Sequence, residues 1–201
     1  MKRRAVLKTF AATMLGACVK EPDWCEDAGV AGVIDDGAPG ECHPTQESIE
    51  GPYYREGAPE RSDLNVYGDE GTPVRISGRV VSSDCLTPVA GAVVEVWHAD
   101  PDGEYDNDSD GMRYRGRITT DDDGAFEVKT LLPGLYLNGN QYRPRHWHIK
   151  VLIDGQERLT TQLYQEGDPY IDCDPFAYTS LVIAFTEGAE GLEGVFEVVL
   201  A

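Results

Sequence analysis

His146-Trp147-His148-Ile149-Lys150-Val151-Leu152-Ile153 is a run of aromatic and β-branched residues, closed by Asp154-Gly155, a pair suited to a tight reversal. It reads as a strand. Residues two apart on a strand share a face, so the imidazoles of His146 and His148 stand side by side. Similar short runs flank it. Val74-Arg75-Ile76-Ser77-Gly78-Arg79-Val80, Ala92-Val93-Val94-Glu95-Val96-Trp97, Gly116-Arg117-Ile118-Thr119-Thr120 and Ala125-Phe126-Glu127-Val128-Lys129 precede it. Leu181-Val182-Ile183-Ala184-Phe185 and Gly194-Val195-Phe196-Glu197-Val198-Val199-Leu200 follow. Gly, Asp and Pro separate these runs, and helical apolar periodicity is absent over any long window. The expected fold is all-β, an antiparallel β-sandwich.

The chain has 201 residues, 41% of them apolar, with 22 Gly and 12 Pro. That composition suits one folded domain rich in turns. Thirty-six acids against 17 basic residues give a net charge of −19. Nucleic acid is excluded as a main partner, because binding phosphate takes clustered Lys and Arg. Adhesion to anionic head groups is disfavoured for the same reason. No run of about 18 apolar residues occurs, so no transmembrane span is expected.

Residues 1–17 read as an export signal. Lys2, Arg3 and Arg4 form a basic head, and a short apolar stretch follows. Arg3-Arg4-Ala5-Val6-Leu7-Lys8 resembles a twin-arginine pattern, and Leu15-Gly16-Ala17-Cys18 a lipobox in which Cys18 would carry lipid. The expected location is the bacterial envelope, as a lipoprotein anchored at Cys18. Cleavage would remove Lys2, Arg3, Arg4 and Lys8 and no acid, taking the charge from −19 to −23. Residues 18–45 read as an acidic tether and residues 46–201 as the folded domain. The remaining cysteines, Cys25, Cys42, Cys85 and Cys173, suggest two disulfides in an oxidising compartment. Closeness in sequence favours Cys25–Cys42 and Cys85–Cys173.

For chemistry, the H-x-H pair is the main candidate. On spacing alone it could equally be two structural histidines. Asp106-Asn107-Asp108-Ser109-Asp110-Gly111 begins like a calcium loop, but Arg117 occupies the position that needs a bidentate Glu. Asp121-Asp122-Asp123-Gly124 reads as a hairpin turn. No G-x-S-x-G elbow or P-loop is present. His43 and His98 read as structural or surface residues.

Several ordered motifs together carry a resemblance. Glu50-Gly51-Pro52-Tyr53-Tyr54, the run from Pro88 through Trp97-His98-Ala99-Asp100, Asp102-Gly103-Glu104-Tyr105-Asp106 and Tyr114-Arg115-Gly116-Arg117 come first. Leu132-Pro133-Gly134-Leu135-Tyr136, Arg143-Pro144-Arg145-His146-Trp147-His148 and Leu159-Thr160-Thr161-Gln162-Leu163-Tyr164 complete the series. Over roughly residues 45–185 the chain resembles the intradiol ring-cleavage dioxygenases, the catechol and protocatechuate 3,4-dioxygenase family.

That resemblance implies a non-haem Fe(III) held by Tyr105, Tyr136, His146 and His148. Anionic phenolate oxygen suits a hard ferric ion, and the metal's charge favours loss of the phenol proton. It implies an oxidoreductase that inserts both atoms of O2 into a catechol-type ring between the hydroxylated carbons, giving a cis,cis-muconate-type product. Tyr136 matches the ligand that substrate displaces and whose phenolate can accept a substrate proton. Arg143 matches a residue that stabilises charge on the substrate, and Gln162 one that lies near the metal. The loop Leu137–Tyr142 is shorter than in protocatechuate enzymes and lacks their tryptophan, and the N-terminal helical region of catechol 1,2-dioxygenases has no counterpart. The alternative reading is a β-sandwich binding module displayed on the envelope, without turnover. A strongly anionic shell should favour neutral or weakly charged catechols.

Overall fold

The computed structural model describes residues 33–36 and 42–201. The export signal, Cys18 and Cys25 lie outside the described residues. Among those described, no helix is long and apolar enough to cross a membrane.

Among the described residues, eleven strands account for the architecture. They are β1 (Pro73–Val81), β2 (Val93–Trp97), β3 (Arg115–Thr119), β4 (Ala125–Leu131), β5 (Tyr136–Asn138) and β6 (Gln141–Arg143), then β7 (His146–Ile153), β8 (Gln156–Gln165), β9 (Val182–Ile183), β10 (Phe185–Gly188) and β11 (Gly191–Val199). One sheet runs β10-β11-β1-β4 and the other β3-β2-β7-β8-β9, with β5 and β6 as a separate ribbon. Packed face to face, the two larger sheets make the expected sandwich. Pairing is mixed, however: β1–β11 and β8–β9 are parallel and the rest antiparallel.

Alternation places the core. Val74, Ile76 and Val80 of β1, with Phe126, Val128 and Val198, meet Val94 and Val96 of β2 and Trp147, Ile149 and Val151 of β7. These side chains are nearly all fully buried, which is the hydrophobic stabilisation the alternating runs encode. The alternate residues of β7, His146, His148 and Lys150, are also buried. They lie on the far face of the same sheet, where loops rather than a second sheet cover them.

The Asp154-Gly155 reversal between β7 and β8 has φ of 52° and 73°, the left-handed pair a two-residue hairpin needs. The Asp121–Gly124 turn is different. Asp121 accepts hydrogen bonds from the amides of Asp123 (3.0 Å) and Ala125 (2.8 Å). The strands it joins, β3 and β4, belong to opposite sheets, so it is a crossover and not a hairpin. Strand β8 was not marked by β-branched alternation, since Gln156-Glu157-Arg158 opens it with polar residues. Leu137–Tyr142, expected as a loop, contains most of the β5–β6 ribbon.

Disulfide pairing by sequence proximity fails. Cys42 is bonded to Cys85, with Cα atoms 5.7 Å apart. The reason lies in the ends of the sandwich. Thr45 donates its amide to Val199 O (2.9 Å) and Leu200 donates to Val81 O (2.9 Å), which brings the segment after Cys42 beside the turn after β1. Cys173 is also disulfide-bonded and is buried. The described parts of 18–45 are docked onto the sandwich. Ile34 donates to Ala177 O (2.9 Å) and accepts from Thr179 N (2.8 Å), while Asp36 accepts from Ser180.

Candidate metal centre

The outer face of the five-stranded sheet carries the site. Strand register sets Arg115 of β3, Trp97 of β2, His148 of β7 and Gln162 of β8 in one row. His146 and Tyr164 form the next row. The Trp97 indole stacks on the His148 ring at 4.7 Å, and the two imidazole centroids are 4.9 Å apart.

Tyr105 reaches this pair from the loop after β2. Its hydroxyl lies 3.2 Å from His146 Nε2 and 3.0 Å from His148 Nε2. Tyr136, at the start of β5, packs against Tyr105. Its ring is edge-on to Tyr105 with centroids 5.4 Å apart. The glycines preceding these tyrosines explain their closeness. Gly134 donates its amide to Asp100 O (2.8 Å), and a Cβ added at Gly103 or Gly134 would strike the backbone of the other segment. Two chain segments cross there with no room for a side chain. Gly103 has φ of 89°, a left-handed conformation glycine adopts freely.

Protonation states follow from burial. Burial, then the charge of Arg143, pushes His146 down to about 3. His148 is held well below its ordinary value by burial and then by His146. Both rings are therefore neutral near pH 7. His146 Nδ1 sits 2.6 Å from Pro144 O and must donate there, which turns the lone pair of Nε2 toward Tyr105. Burial pushes Tyr105 up, and burial with the hydrogen bond to Tyr53 pushes Tyr136 up to about 12. In the protein alone both are phenols.

This donor set fits a cation. One Tyr105 proton faces two Nε2 atoms, and buried His148 Nδ1 has no hydrogen-bond partner. A phenol oxygen and two imidazole nitrogens thus meet at one point, and with its Nδ1 unpartnered His148 is free to turn an Nε2 lone pair there, as a metal ligand does. Phenol oxygen and imidazole nitrogen together suit a hard, highly charged ion such as Fe(III). Among the described residues, no group of three His, Cys, Asp or Glu is placed to hold a metal. The Asp106 carboxylate instead organises its own loop, accepting from the amides of Ser109 (3.0 Å) and Arg113 (2.6 Å).

Arg143 ends β6, directly across the ribbon from Tyr136. It is buried. Its Nε donates to Asp174 Oδ2 (2.6 Å), and its Nη2 lies 3.0 Å from Asp174 Oδ1 and 2.9 Å from Gln162 Oε1. Gln162, fully buried, also donates to Ile49 O (2.8 Å) and accepts from the Tyr164 hydroxyl (2.7 Å). The structure thus brings all six expected site residues into one region. His43 is exposed and away from it. His98 is buried and structural, bonded to Ala99 O (2.6 Å) and Thr130 Oγ1 (2.7 Å).

Sequence reasoning missed several partners. Tyr53 stacks on Tyr105 at 4.4 Å and its hydroxyl bonds to that of Tyr136. Tyr54 bonds to buried Glu95 (2.7 Å), while Lys150 covers the Tyr54 ring and pairs with Glu50 and Glu157. These contacts fasten the segment carrying Tyr53 over the site. Its only sequence signal was the aromatic pair after Gly51-Pro52.

The fold is a β-sandwich with two tyrosines and two histidines gathered on the outer face of one sheet. The family profile described as Dioxygenase matches residues 49–200. A chlorocatechol 1,2-dioxygenase of Rhodococcus opacus is 34% identical over 184 residues, covering 80% of this chain and 71% of that one. Another, of Pseudomonas putida, is 40% identical over 146 residues, covering 63% and 56%. Among solved structures, the dioxygenase domain of a dioxygenase–carbohydrate-binding protein fusion from the cellulolytic bacterium Streptomyces sp. SirexAA-E superposes with a TM-score of 0.71 at 36% identity, covering 78% of this chain and 97% of that one. The chain belongs to the intradiol ring-cleavage dioxygenase family, whose members use non-haem iron. It spans just over half the length of several of the relatives it matches.

Proposed function

We propose that this protein is an Fe(III) intradiol dioxygenase that opens a catechol-type ring with O2 between the hydroxylated carbons, giving a cis,cis-muconate-type diacid. The observation that carries the reading is the placement of the Tyr105 hydroxyl within 3.2 Å of both His146 Nε2 and His148 Nε2. Tyr105, Tyr136, His146 and His148 would hold the metal. Bound iron would supply the site that takes up both catechol oxygens and couples the ring to O2.

The chain's own groups do the rest. Tyr136, half-buried on a short ribbon, would be the freer of the two tyrosines, while Tyr105 is buried and stacked on Tyr53. The Tyr136 oxygen would serve as a base for a catechol proton. Arg143 is placed to stabilise negative charge growing on the ring, and the low-dielectric surroundings strengthen that effect. Tyr53 and Trp97 wall the site with aromatic surface and exclude water. The relatives' names favour turnover over a binding module.

Iron-loaded protein should be reddish-brown from tyrosinate-to-iron charge transfer, shift its visible band with catechol and consume O2. A colourless iron-loaded protein, or no band shift with catechol, would overturn the reading. Tyr105→Phe or His146→Ala should reduce bound iron at least about tenfold; metal analysis showing full occupancy in either would refute the ligand assignment.

We also propose export with cleavage before Cys18 and lipidation there, supported by the basic head and lipobox-like run. Residues 18–45 would then link the anchor to the catalytic domain, with part of the link docked. Mass spectrometry of the mature N-terminus tests this; an unmodified start elsewhere sinks it.

A further inference from the structure

Arg143 is held on two of its three nitrogens. Asp174 takes Nε (2.6 Å) and Nη2 (3.0 Å) through separate carboxylate oxygens, a bidentate grip. Gln162 Oε1 and the Tyr164 hydroxyl lie 2.9 Å and 3.2 Å from the same Nη2. No described hydrogen bond engages Nη1. Asp174 is itself fixed, since its Oδ1 accepts the Phe176 amide (2.9 Å) and the residue before it, Cys173, is disulfide-bonded. The Phe176 ring lies against the guanidinium, 5.2 Å from its centroid to Arg143 Cζ. Both partners are buried, Arg143 at 8% exposure and Asp174 at 2%.

Such a grip has two effects. It selects one orientation of a long side chain, so that Nη1 is presented without a search among rotamers. It also pairs a full negative charge with the guanidinium, so the unit that meets the substrate carries no net charge and acts on the ring only through the directed Nη1 donor. Other cations nearby are also committed. Arg145 pairs with Asp168 (3.0 Å), and Lys150 with Glu50 and Glu157. Arg115 directs Nε and Nη2 at the carbonyl of Asp106. A carboxylated ring entering this site would leave water and, among the nearby described cations, find only Arg115, which is directed at the Asp106 carbonyl, without a carboxylate partner.

We propose that Asp174 is the positioning residue for Arg143 and that, by cancelling its charge, it makes the site select catechols with uncharged ring substituents over carboxylated ones. This rests on the reading of the site as a catechol-cleaving centre. It deepens that reading by naming the substrate class and the residue that sets it.

The test compares wild type, Asp174→Asn and Asp174→Glu, all iron-loaded, on catechol and 3,4-dihydroxybenzoate. Wild type should favour catechol in kcat/KM. Asp174→Asn removes the charge, so kcat on catechol should fall about tenfold or more, and the kcat/KM ratio of carboxylated to neutral substrate should rise about tenfold. Asp174→Glu keeps the charge but spoils the bidentate geometry, so kcat should fall while the ratio stays near wild type. If Asp174→Asn does not fold, Asp174→Glu alone still decides orientation: an unchanged kcat overturns it. A wild-type preference for 3,4-dihydroxybenzoate, or an unchanged ratio in Asp174→Asn, overturns the charge role.

A second readout needs no turnover. In metal-free protein, the Arg143 Nε–H proton should give a slowly exchanging NMR signal that Asp174→Asn abolishes; its persistence in the variant overturns the clamp. If wild type cleaves neither catechol, the proposed function falls, while this signal still reports on Asp174.

Discussion

The five-stranded sheet has two buried faces of opposite character. Toward the other sheet, β2, β7 and β8 present Val94, Val96, Trp147, Ile149, Val151 and Leu163. On the far side the same strands present Glu95, Trp97, His146, His148, Lys150, Gln162 and Tyr164, equally withdrawn from water. The inner face is sealed by a second sheet and satisfied by contact alone. The outer face is sealed by loops and depends on specific polar and ring contacts, with Trp97 Nε1 and His148 Nδ1 left without a hydrogen-bond partner. A strand can thus serve stability with one set of residues and chemistry with the alternate set. The two roles should be separable by mutation.

The largest effects should come from splitting the faces. Ile149→Ala, on the inner face, should lower unfolding free energy by about 2–5 kcal/mol through lost burial and a cavity, while folded protein keeps its iron. His148→Ala, one residue away on the outer face, should lose iron and activity at a smaller stability cost in the metal-free state. Urea unfolding and metal analysis on the same samples check both. If Ile149→Ala strips the iron from folded protein, or His148→Ala unfolds the metal-free chain as severely, the division is wrong.

Acid should sharpen the comparison at His98, which is fully buried and bonded to Ala99 O and Thr130 Oγ1. Burial holds it down to about 4, against about 6.5 in an unfolded chain. Its folded value is depressed, so the neutral ring's contribution is complete above about pH 6.5. That contribution is lost as pH falls through about 4, and the total loss is on the order of 3 kcal/mol. Denaturation of iron-loaded protein at several pH values should show that slope, and His98→Gln should flatten it. An equal slope in the variant would remove His98 as its source.

The smallest expected effect is at the turn joining β7 to β8. Gly155 has φ of 73° and open space where a Cβ would go. Gly155→Ala should therefore cost only about 1 kcal/mol of backbone strain and leave iron and turnover untouched. Thermal melting checks it, and a change in visible spectrum would show that the turn reaches the site.

These two faces also differ in how well the sequence displays them. The inner face follows from period two in β1, β2, β4 and β7, because burial against a sheet needs only apolar residues at alternate positions. On the outer face, residue identities were legible where several motifs concur: Tyr105, Tyr136, Arg143, His146, His148 and Gln162. Their partners were not. Asp174 clamps Arg143 across 31 residues, and nothing local in Asp172-Cys173-Asp174 announces it. Strand β8 was hidden by its polar opening, and Cys42–Cys85 by the folding of residues 42–45 against the end of β11. Long-range polar contacts have no periodicity, so a single sequence does not encode them visibly.

The parallel pairing of β1 with β11 carries a consequence for time. β1 lies inside its sheet, hydrogen-bonded to β4 on one side and β11 on the other. Its second edge stays unpaired until the last described strand has left the ribosome. Closing contacts so distant in sequence is slow, and an open strand edge invites other chains meanwhile. The sandwich therefore cannot close until β11 has been made, well after the strands that carry His146 and His148.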